Sequence, residues 1–213
     1  MEITWYGHSC FRLTERGMAT VVTDPYDHTL TGYNPLKLKA DIVTASHDSP
    51  AHNNIEVVKG YSHFLSGPGE FEIGGVFITG VRPRGQKNAT QKTSNTLFVF
   101  DYDKVTVAHL GNLTKVPNQT DIEALGNVNI ALVPVGGGDG LTASKAVEVV
   151  SILEPGIVIP MHFDTPAASH NLTPVSKFLK EMGVGDIESQ PSIKITRTIT
   201  PGEISVVVLD PQA

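Results

Sequence analysis

The stretch Asp41-Ile42-Val43-Thr44-Ala45-Ser46-His47-Asp48-Ser49-Pro50-Ala51-His52-Asn53-Asn54 joins an apolar run to a polar loop that holds two histidines. Residues 42–45 form the apolar run, which predicts a short buried strand. Proteins of the α/β class often carry metal ligands on loops at strand ends, because the scaffold fixes the loop while its tip stays open. The stretch therefore predicts a metal-binding or catalytic loop. A solvated loop that happens to contain two histidines is the alternative.

The spacing of this loop resembles the His-x-His-x-Asp-His ligand loop of the metallo-β-lactamase superfamily. His47 takes the place of the first histidine of that pattern, and His52 takes the place of the last. Ser49 and Ala51 stand where the pattern has its second histidine and its aspartate. Serine is a poor metal ligand and alanine is none, so the loop keeps half of its usual ligands.

Other landmarks follow in the same order as in that superfamily. Gly7-His8-Ser9 and Asp24-Pro25 resemble the opening of its small members related to ascorbate-6-phosphate lactonases. Residues 67–72 and Pro160-Met161-His162 resemble two later segments. The resemblance covers essentially the whole chain. It implies a single α/β domain over residues 1–213 with the metallo-β-lactamase fold, a four-layer αββα sandwich.

Two further ligand positions of the superfamily are also replaced. The next histidine is expected near Gly85, but no histidine lies between His63 and His109. The run from His109 to Asn112 resembles a His-Leu-Gly-Asp segment whose aspartate bridges two metal ions. The amide of Asn112 is neutral and cannot supply the charge that two adjacent dications need. A dinuclear centre is therefore not expected.

The resemblance leaves a reduced ligand set of His47, His52 and His162. Three histidines and a water form a known catalytic zinc site, so zinc or another divalent metal is expected if the three converge, and no metal if they do not. Pocket residues are expected from the group His8, Asp24, Asp48, His109 and Asn112. For His8 and Asp24, shaping a turn is an equal alternative. Replacement ligands could come from the acidic residues Asp48, Glu70 and Glu72.

Three functions are compatible with this sequence. The first is a divergent metal-dependent hydrolase of a small phosphorylated or lactone-type substrate, in which the metal generates a hydroxide. The second is a metal-free pseudoenzyme that binds a small ligand or regulates another protein. The third is a metal-free enzyme with a histidine as general base. The four replaced ligand positions favour the second function, whereas the hydrolytic chemistry of the superfamily favours the first.

Composition limits the partners and the cell compartment. The net charge is −6 and the basic residues form no cluster, which argues against a nucleic-acid partner. No apolar stretch approaches the ~20 residues of a membrane span, and the N-terminus lacks the pattern of a signal peptide. The single cysteine, Cys10, excludes an internal disulfide and is expected to be a buried structural thiol. We expect a cytoplasmic protein with a small-molecule ligand and no membrane partner; an oligomer is left open.

Periodicity and turn residues predict the remaining elements. Thr142 is expected to cap a helix that runs to about Glu154. The Gly74-Gly75 pair predicts a hairpin turn. A second helix is predicted over residues 174–182, a surface loop over 28–38, and a polar connection over 85–95. Strands are predicted at 3–6, 19–23, 42–45, 96–100, 105–110, 129–135, 157–162, 193–196 and 204–209.

Overall fold

The computed structural model describes residues 1–85, 94–168, 171–196, 199 and 203–212. Its strands are β1 (Glu2–Trp5), β2 (Phe11–Thr14), β3 (Val21–Thr23), β4 (Leu38–Lys39), β5 (Ile42–Thr44), β6 (Val58–Lys59), β7 (His63–Leu65), β8 (Gly69–Ile73), β9 (Val76–Val81), β10 (Leu97–Asp101), β11 (Thr106–His109), β12 (Ile130–Pro134), β13 (Ile157–Met161), β14 (Ser192–Lys194) and β15 (Ser205–Val206). Its α-helices are α1 (His28–Thr31), α2 (Gln119–Glu123), α3 (Ala143–Leu153) and α4 (Val175–Glu181), and residues Ile55–Val57 form a 3-10 turn. Most of the predicted connection over 85–95 lies outside the described residues.

The strands form two large sheets. One sheet has the order β14-β1-β2-β3-β5-β7, and the other has the order β15-β13-β12-β11-β10-β9-β8. The short strands β4 and β6 pair with each other. Every residue of β12 is buried, since this strand lies inside its sheet between β11 and β13. Burial on both faces explains why its sequence is continuously apolar rather than alternating.

A single large apolar cluster lies between the two sheets. Strand β1 alternates between half-buried and buried residues and contributes Ile3 and Trp5, both fully buried. Strand β10 contributes Phe98 and Phe100 from the opposite sheet. The period-2 pattern of β1 thus directs one set of side chains into this core. Because the two sheets share this core, the loops at their strand ends are held at fixed positions relative to each other.

The helix predicted to run from Thr142 to about Glu154 forms as α3, which covers the outer face of the seven-stranded sheet. The side chain of Thr142 accepts a hydrogen bond from the backbone N–H of Lys145, which is the expected N-cap. Ala146, Val149 and Val150 lie on its buried face. This helix packs against α4 and against β12, so the two helices form one outer layer.

The outer layer on the six-stranded sheet is thinner, and here the predicted surface loop over residues 28–38 is partly wrong. The segment begins with α1, which Asp27 caps by accepting a hydrogen bond from the backbone N–H of Thr29. Tyr33 and Leu36 are buried in a second apolar cluster on this side of the sheet. A helix of four residues is too short to show a helical period, so the sequence pattern missed it. With this layer the chain forms the expected αββα sandwich.

The described helices are all short. The longest is α3, with 11 residues. Crossing a bilayer takes ~20 predominantly apolar residues. Within the described ranges, no helix has both the length and the apolar character for a membrane span.

Gly80 marks a close backbone approach in β9. A Cβ atom at this position would lie 2.6 Å from the carbonyl oxygen of Gly67 and 3.2 Å from the Cα of Pro68. Both neighbours are main-chain atoms, so they cannot rotate away as a flexible side chain could. The segment before β8 therefore crosses β9 at a distance that only glycine permits.

We expect Gly80→Ala to lower the free energy of unfolding by roughly 1–3 kcal/mol, because the added methyl group overpacks against the main chain. Urea denaturation followed by circular dichroism measures this change. The matched control is Gly185→Ala, since a Cβ there would have no atom within 4 Å. Equal stability of the two variants would contradict the proposed close approach.

Candidate metal centre

Four buried histidines meet in a pocket at the strand ends of both sheets. His8 lies in the turn between β1 and β2, and His47 and His52 lie in the loop after β5. His162 directly follows β13 of the other sheet. The pocket has a volume of about 320 Å³. Its described lining residues are His8, His47, Ser49, Ala51, His52, Asn112, Gly138, Asp139, His162, Asn171 and Leu172.

Three of these histidines form a compact group that could hold one metal ion. His8, His52 and His162 each offer a ring nitrogen within 4.8 Å of the others. The Nε2 atoms of His8 and His52 are 3.0 Å apart, and the ring centroids of His8 and His162 are 4.4 Å apart. Two nitrogens bound to one tetrahedral zinc at ~2.0–2.1 Å are ~3.3 Å apart. The three imidazoles therefore fit a single ion.

The sequence predicted His47, His52 and His162 as one ligand set, but the structure places these three residues in two different groups. His52 and His162 lie together, but the third member of their group is His8 rather than His47. His47 belongs to a second group with Asp24 and His52. The sequence pattern could not show this, because His8 reaches the group from a turn 44 residues away from His52.

Asp24 holds the ring of His52 in one orientation. Its Oδ2 atom accepts a hydrogen bond from Nδ1 of His52 at 2.8 Å. Ser46 donates to the same carboxylate twice, from its backbone nitrogen at 2.7 Å and from its hydroxyl at 2.5 Å. Because the proton of His52 is on Nδ1, its Nε2 presents a lone pair towards His8. Asp24 therefore orients the ring of His52, and it is also a member of the second group that could hold a metal ion.

The second group is a hydrogen-bonded chain. The hydroxyl of Ser46 donates its only hydrogen to Asp24. The Ser46 oxygen is therefore the acceptor in its contact with His47, and Nδ1–H of His47 donates to it at 3.0 Å. Burial lowers the pKa of His47, against the opposing effect of Asp24 and Asp48, and the ring is neutral at pH 7. Complete burial raises the pKa of Asp24, while His109, His47 and the Ser46 hydrogen bonds favour its charged form. The chain leaves Nε2 of His47 with a lone pair.

The backbone is strained at three of the site residues. His8, Asp24 and His162 have φ angles of 50°, 39° and 52°, in the left-handed region that residues other than glycine rarely adopt. The backbone N–H of His162 donates to the carbonyl oxygen of His8 at 3.1 Å. The carbonyl of His162 accepts from Gly136 at 3.0 Å, where a Cβ would overlap that carbonyl. Strained backbone of this kind is concentrated at functional sites. In this protein it orients the imidazoles of His8 and His162, which come from different sheets, towards the same pocket.

Several expected site residues lie elsewhere. Asp48 is exposed and accepts a hydrogen bond from the amide of Asn53, outside the described lining of the pocket. Glu70 and Glu72 are exposed on β8 and line a different cavity. None of these three acidic residues therefore replaces a lost ligand. Buried His109 receives a hydrogen bond from Gly111 at Nδ1 and donates from Nε2 to the carbonyl of Ser9. Through its bond to Ser9, His109 stabilises the turn that carries His8.

The replaced ligand positions face the pocket, with one exception. Ser49, Ala51 and Asn112 all line it. Gly85 is not among the described lining residues. At these three positions the pocket is therefore lined by neutral groups. Sequence reasoning missed Ser46, because nothing in the sequence links it to Asp24, 22 residues earlier.

The comparisons with known proteins agree with this geometry. A family model described as the β-lactamase superfamily domain matches residues 2–162, which is most of the chain. The chain belongs to the metallo-β-lactamase superfamily. A solved structure from Thermotoga maritima, provisionally described as a Zn-dependent hydrolase of this superfamily, is 35% identical with a TM-score of 0.80. That match covers 98% of this chain and 97% of the other.

Further relatives extend this picture. A UPF0173 metal-dependent hydrolase of Methanoculleus marisnigri is 28% identical over 95% of both chains. The structure of an isothiocyanate hydrolase from Delia radicum gut bacteria is 14% identical, with a TM-score of 0.68, and covers 92% of this chain and 99% of the other. At that identity it shows a common fold alone. The family resemblance and the αββα fold expected from the sequence are thus confirmed.

We expect Asp24→Asn to weaken zinc binding by roughly 10–100-fold, because the amide nitrogen that replaces Oδ2 cannot accept the hydrogen bond from Nδ1–H of His52. The fold should persist, since the amide oxygen can still accept from the backbone of Ser46. Chelator competition measures the zinc affinity. Asp48→Asn is the control and should bind zinc like the original protein. An unchanged affinity in Asp24→Asn would show that this hydrogen bond does not orient a ligand.

Proposed function

We propose that this chain is a hydrolase that depends on a single metal ion held by His8, His52 and His162. The observation that supports this most directly is the convergence of three buried imidazoles within 4.8 Å, one of which is oriented by a buried carboxylate. Buried carboxylate–histidine pairs are a frequent accompaniment of metal sites, where they fix the tautomer of the ligand. The superfamily and the names of the relatives point to the same class of reaction.

The donor set suits zinc or a similar divalent transition metal. Neutral imidazoles bind zinc, copper, iron and nickel, whereas calcium and magnesium require oxygen ligands. The carboxylate oxygens of Asp24 already accept hydrogen bonds from Ser46 and His52. Three histidines that leave one position open are a catalytic rather than a structural zinc set. When bound, the metal supplies an activated hydroxide and polarises the oxygen of the bond to be cleaved.

The other residues of the site have roles that follow from their contacts. The Asp24–His52 hydrogen bond keeps one ligand ring from turning. His47 lies beside that ring, with 4.2 Å between the ring centroids, and its Nδ1 is engaged by Ser46. Its Nε2 is therefore the atom that can exchange a proton with water or substrate in the pocket. His47 is thereby assigned to proton transfer instead of metal binding.

The substrate is a small molecule with a hydrolysable bond, of the phosphoester or lactone type. A pocket of about 320 Å³ is at the lower end of the size range for small-molecule sites. Ser49, Ala51 and Asn112 offer no anionic oxygen to hold a second ion. The proposed chemistry is accordingly mononuclear, which separates this chain from the dinuclear pattern that it resembles.

We expect protein loaded with zinc and then desalted to retain about one equivalent, the capacity of one three-histidine site. Elemental analysis measures the retained metal. His8→Ala and His162→Ala should each abolish retention, because two imidazoles alone hold zinc weakly. His63→Ala is the matched control, since His63 is an exposed histidine on β7. Retention that depends on His47 but not on His8 would contradict the assigned ligand set.

We expect the zinc-loaded protein to hydrolyse at least one member of a panel of p-nitrophenyl phosphoesters and simple lactones. His52→Ala should abolish that turnover while leaving the fold intact by circular dichroism. A protein that stays metal-free and inert at saturating zinc and manganese would overturn the hydrolase proposal. The fold would then serve a metal-free binding protein.

A further inference from the structure

Asn112 lines the pocket and has a buried side-chain oxygen, Oδ1. Its residue is only 4% exposed and lines the pocket. Within the described part of the chain, its Oδ1 atom accepts no hydrogen bond. A buried acceptor that is left unsatisfied costs free energy, so a structure that keeps one leaves a position for a donor from outside the protein.

Hydrogen bonds and close packing hold Asn112 in position. The backbone N–H of Asn112 donates to the side chain of Asn95 at 3.0 Å, and Asn95 in turn donates to the carbonyl of Leu110 at 3.0 Å. Gly140 lies against the amide oxygen, since a Cβ there would be 2.7 Å from Oδ1. The same Cβ would be 3.5 Å from Nδ1 of His162. The acceptor is therefore held on the flank of the three-histidine group.

The other described lining residues favour the same kind of ligand. None of them is lysine or arginine, so a phosphate group would find no cationic side chain there. Asp139 is exposed on the pocket lining and adds a negative charge. Ser49 and Asn171 are neutral groups that can accept hydrogen bonds. A hydroxyl or N–H group therefore matches the acceptors on this wall.

We propose that Asn112 is a specificity-determining residue that accepts a hydrogen bond from a hydroxyl or N–H group next to the bond that is hydrolysed. This inference rests on the proposed function, because it names the substrate class of that same site. The expected substrates are lactones and esters that carry such a hydroxyl or N–H group. A residue that would bridge two metals in the resembled pattern thus becomes a substrate contact once its charge is lost.

The first experiment measures binding without turnover. Cyclopentanone and 2-hydroxycyclopentanone are ring analogues of a lactone that cannot be hydrolysed, and they differ by one hydroxyl. Titration into the zinc-loaded protein, followed by ¹H–¹⁵N NMR, gives the dissociation constant of each. We expect the hydroxylated probe to bind about tenfold more tightly, because a ratio of this size corresponds to the net free energy of one buried hydrogen bond. Asn112→Leu should reduce the ratio to about one, because leucine has a similar volume and no acceptor.

Two further variants separate the hydrogen bond from a change of shape. Asn112→Gln retains a neutral amide acceptor and should preserve the preference for the hydroxylated probe. Asn127→Leu is the matched control, because Asn127 is an exposed asparagine outside the described lining of this pocket, and it should bind both probes like the original protein. Equal affinities for the two probes in the original protein, or an unchanged ratio in Asn112→Leu, would overturn the inference.

The second experiment measures turnover with γ-butyrolactone and α-hydroxy-γ-butyrolactone. We expect kcat/KM to favour the hydroxylated lactone about tenfold, and Asn112→Leu to lose this preference while zinc retention is unchanged. Absence of turnover on both lactones, with the binding preference intact, would count against the proposed hydrolase alone. Turnover without a preference would count against the role of Asn112 alone.

Discussion

The hydrogen bond between Asp24 and His52 joins the two parts of the chain on which the site depends. Strands β3 and β5 are parallel neighbours, so Asp24 at the end of one lies beside Ser46 at the end of the other. This pairing puts a buried carboxylate next to the histidine loop and satisfies it with donors from that loop. A carboxylate with no donors would be costly at this depth. The loop and the strand end therefore stabilise each other, and the ligand ring gains its orientation as a result.

The second constraint is the junction between the sheets. The carbonyl of His8 accepts hydrogen bonds from the indole of Trp5 and from the backbone of His162. Trp5 is fully buried in the core, so the packing of the two sheets fixes the turn that carries His8. The left-handed backbone of both histidines persists because these contacts determine it from several sides. The packing of the core thus holds the candidate site between the two sheets in place.

The neutral replacements change the electrostatics of the pocket without enlarging the fold. A site that holds two dications needs several carboxylates, whereas Asp139 is the one acidic residue in the described lining of this pocket. The remaining imidazoles are neutral ligands that can hold one ion without them. Asn112 and Ser49 then become hydrogen-bonding groups at positions where the resembled pattern has metal ligands. The same fold can therefore support a site that has fewer charged groups.

The sequence by itself determined the fold and the location of the site. Ordered landmarks along the chain predicted the sandwich, and the strand-to-loop transition after β5 placed the site at His47 and His52. Local signals of this kind survive in a single sequence, because strand periodicity, caps and turns depend on neighbouring residues. The short α1 escaped notice because four residues carry no period.

Only the tertiary structure decided which groups meet. The grouping of His8 with His52 and His162 depends on three elements from two sheets, as does the exclusion of Asp48, Glu70 and Glu72 from the pocket. The role of Asp24 was equally hidden, because its two partners lie more than 20 residues away along the chain. Contacts between distant residues are set by the packing of the sheets and the path of the loops. No local pattern in the sequence records them.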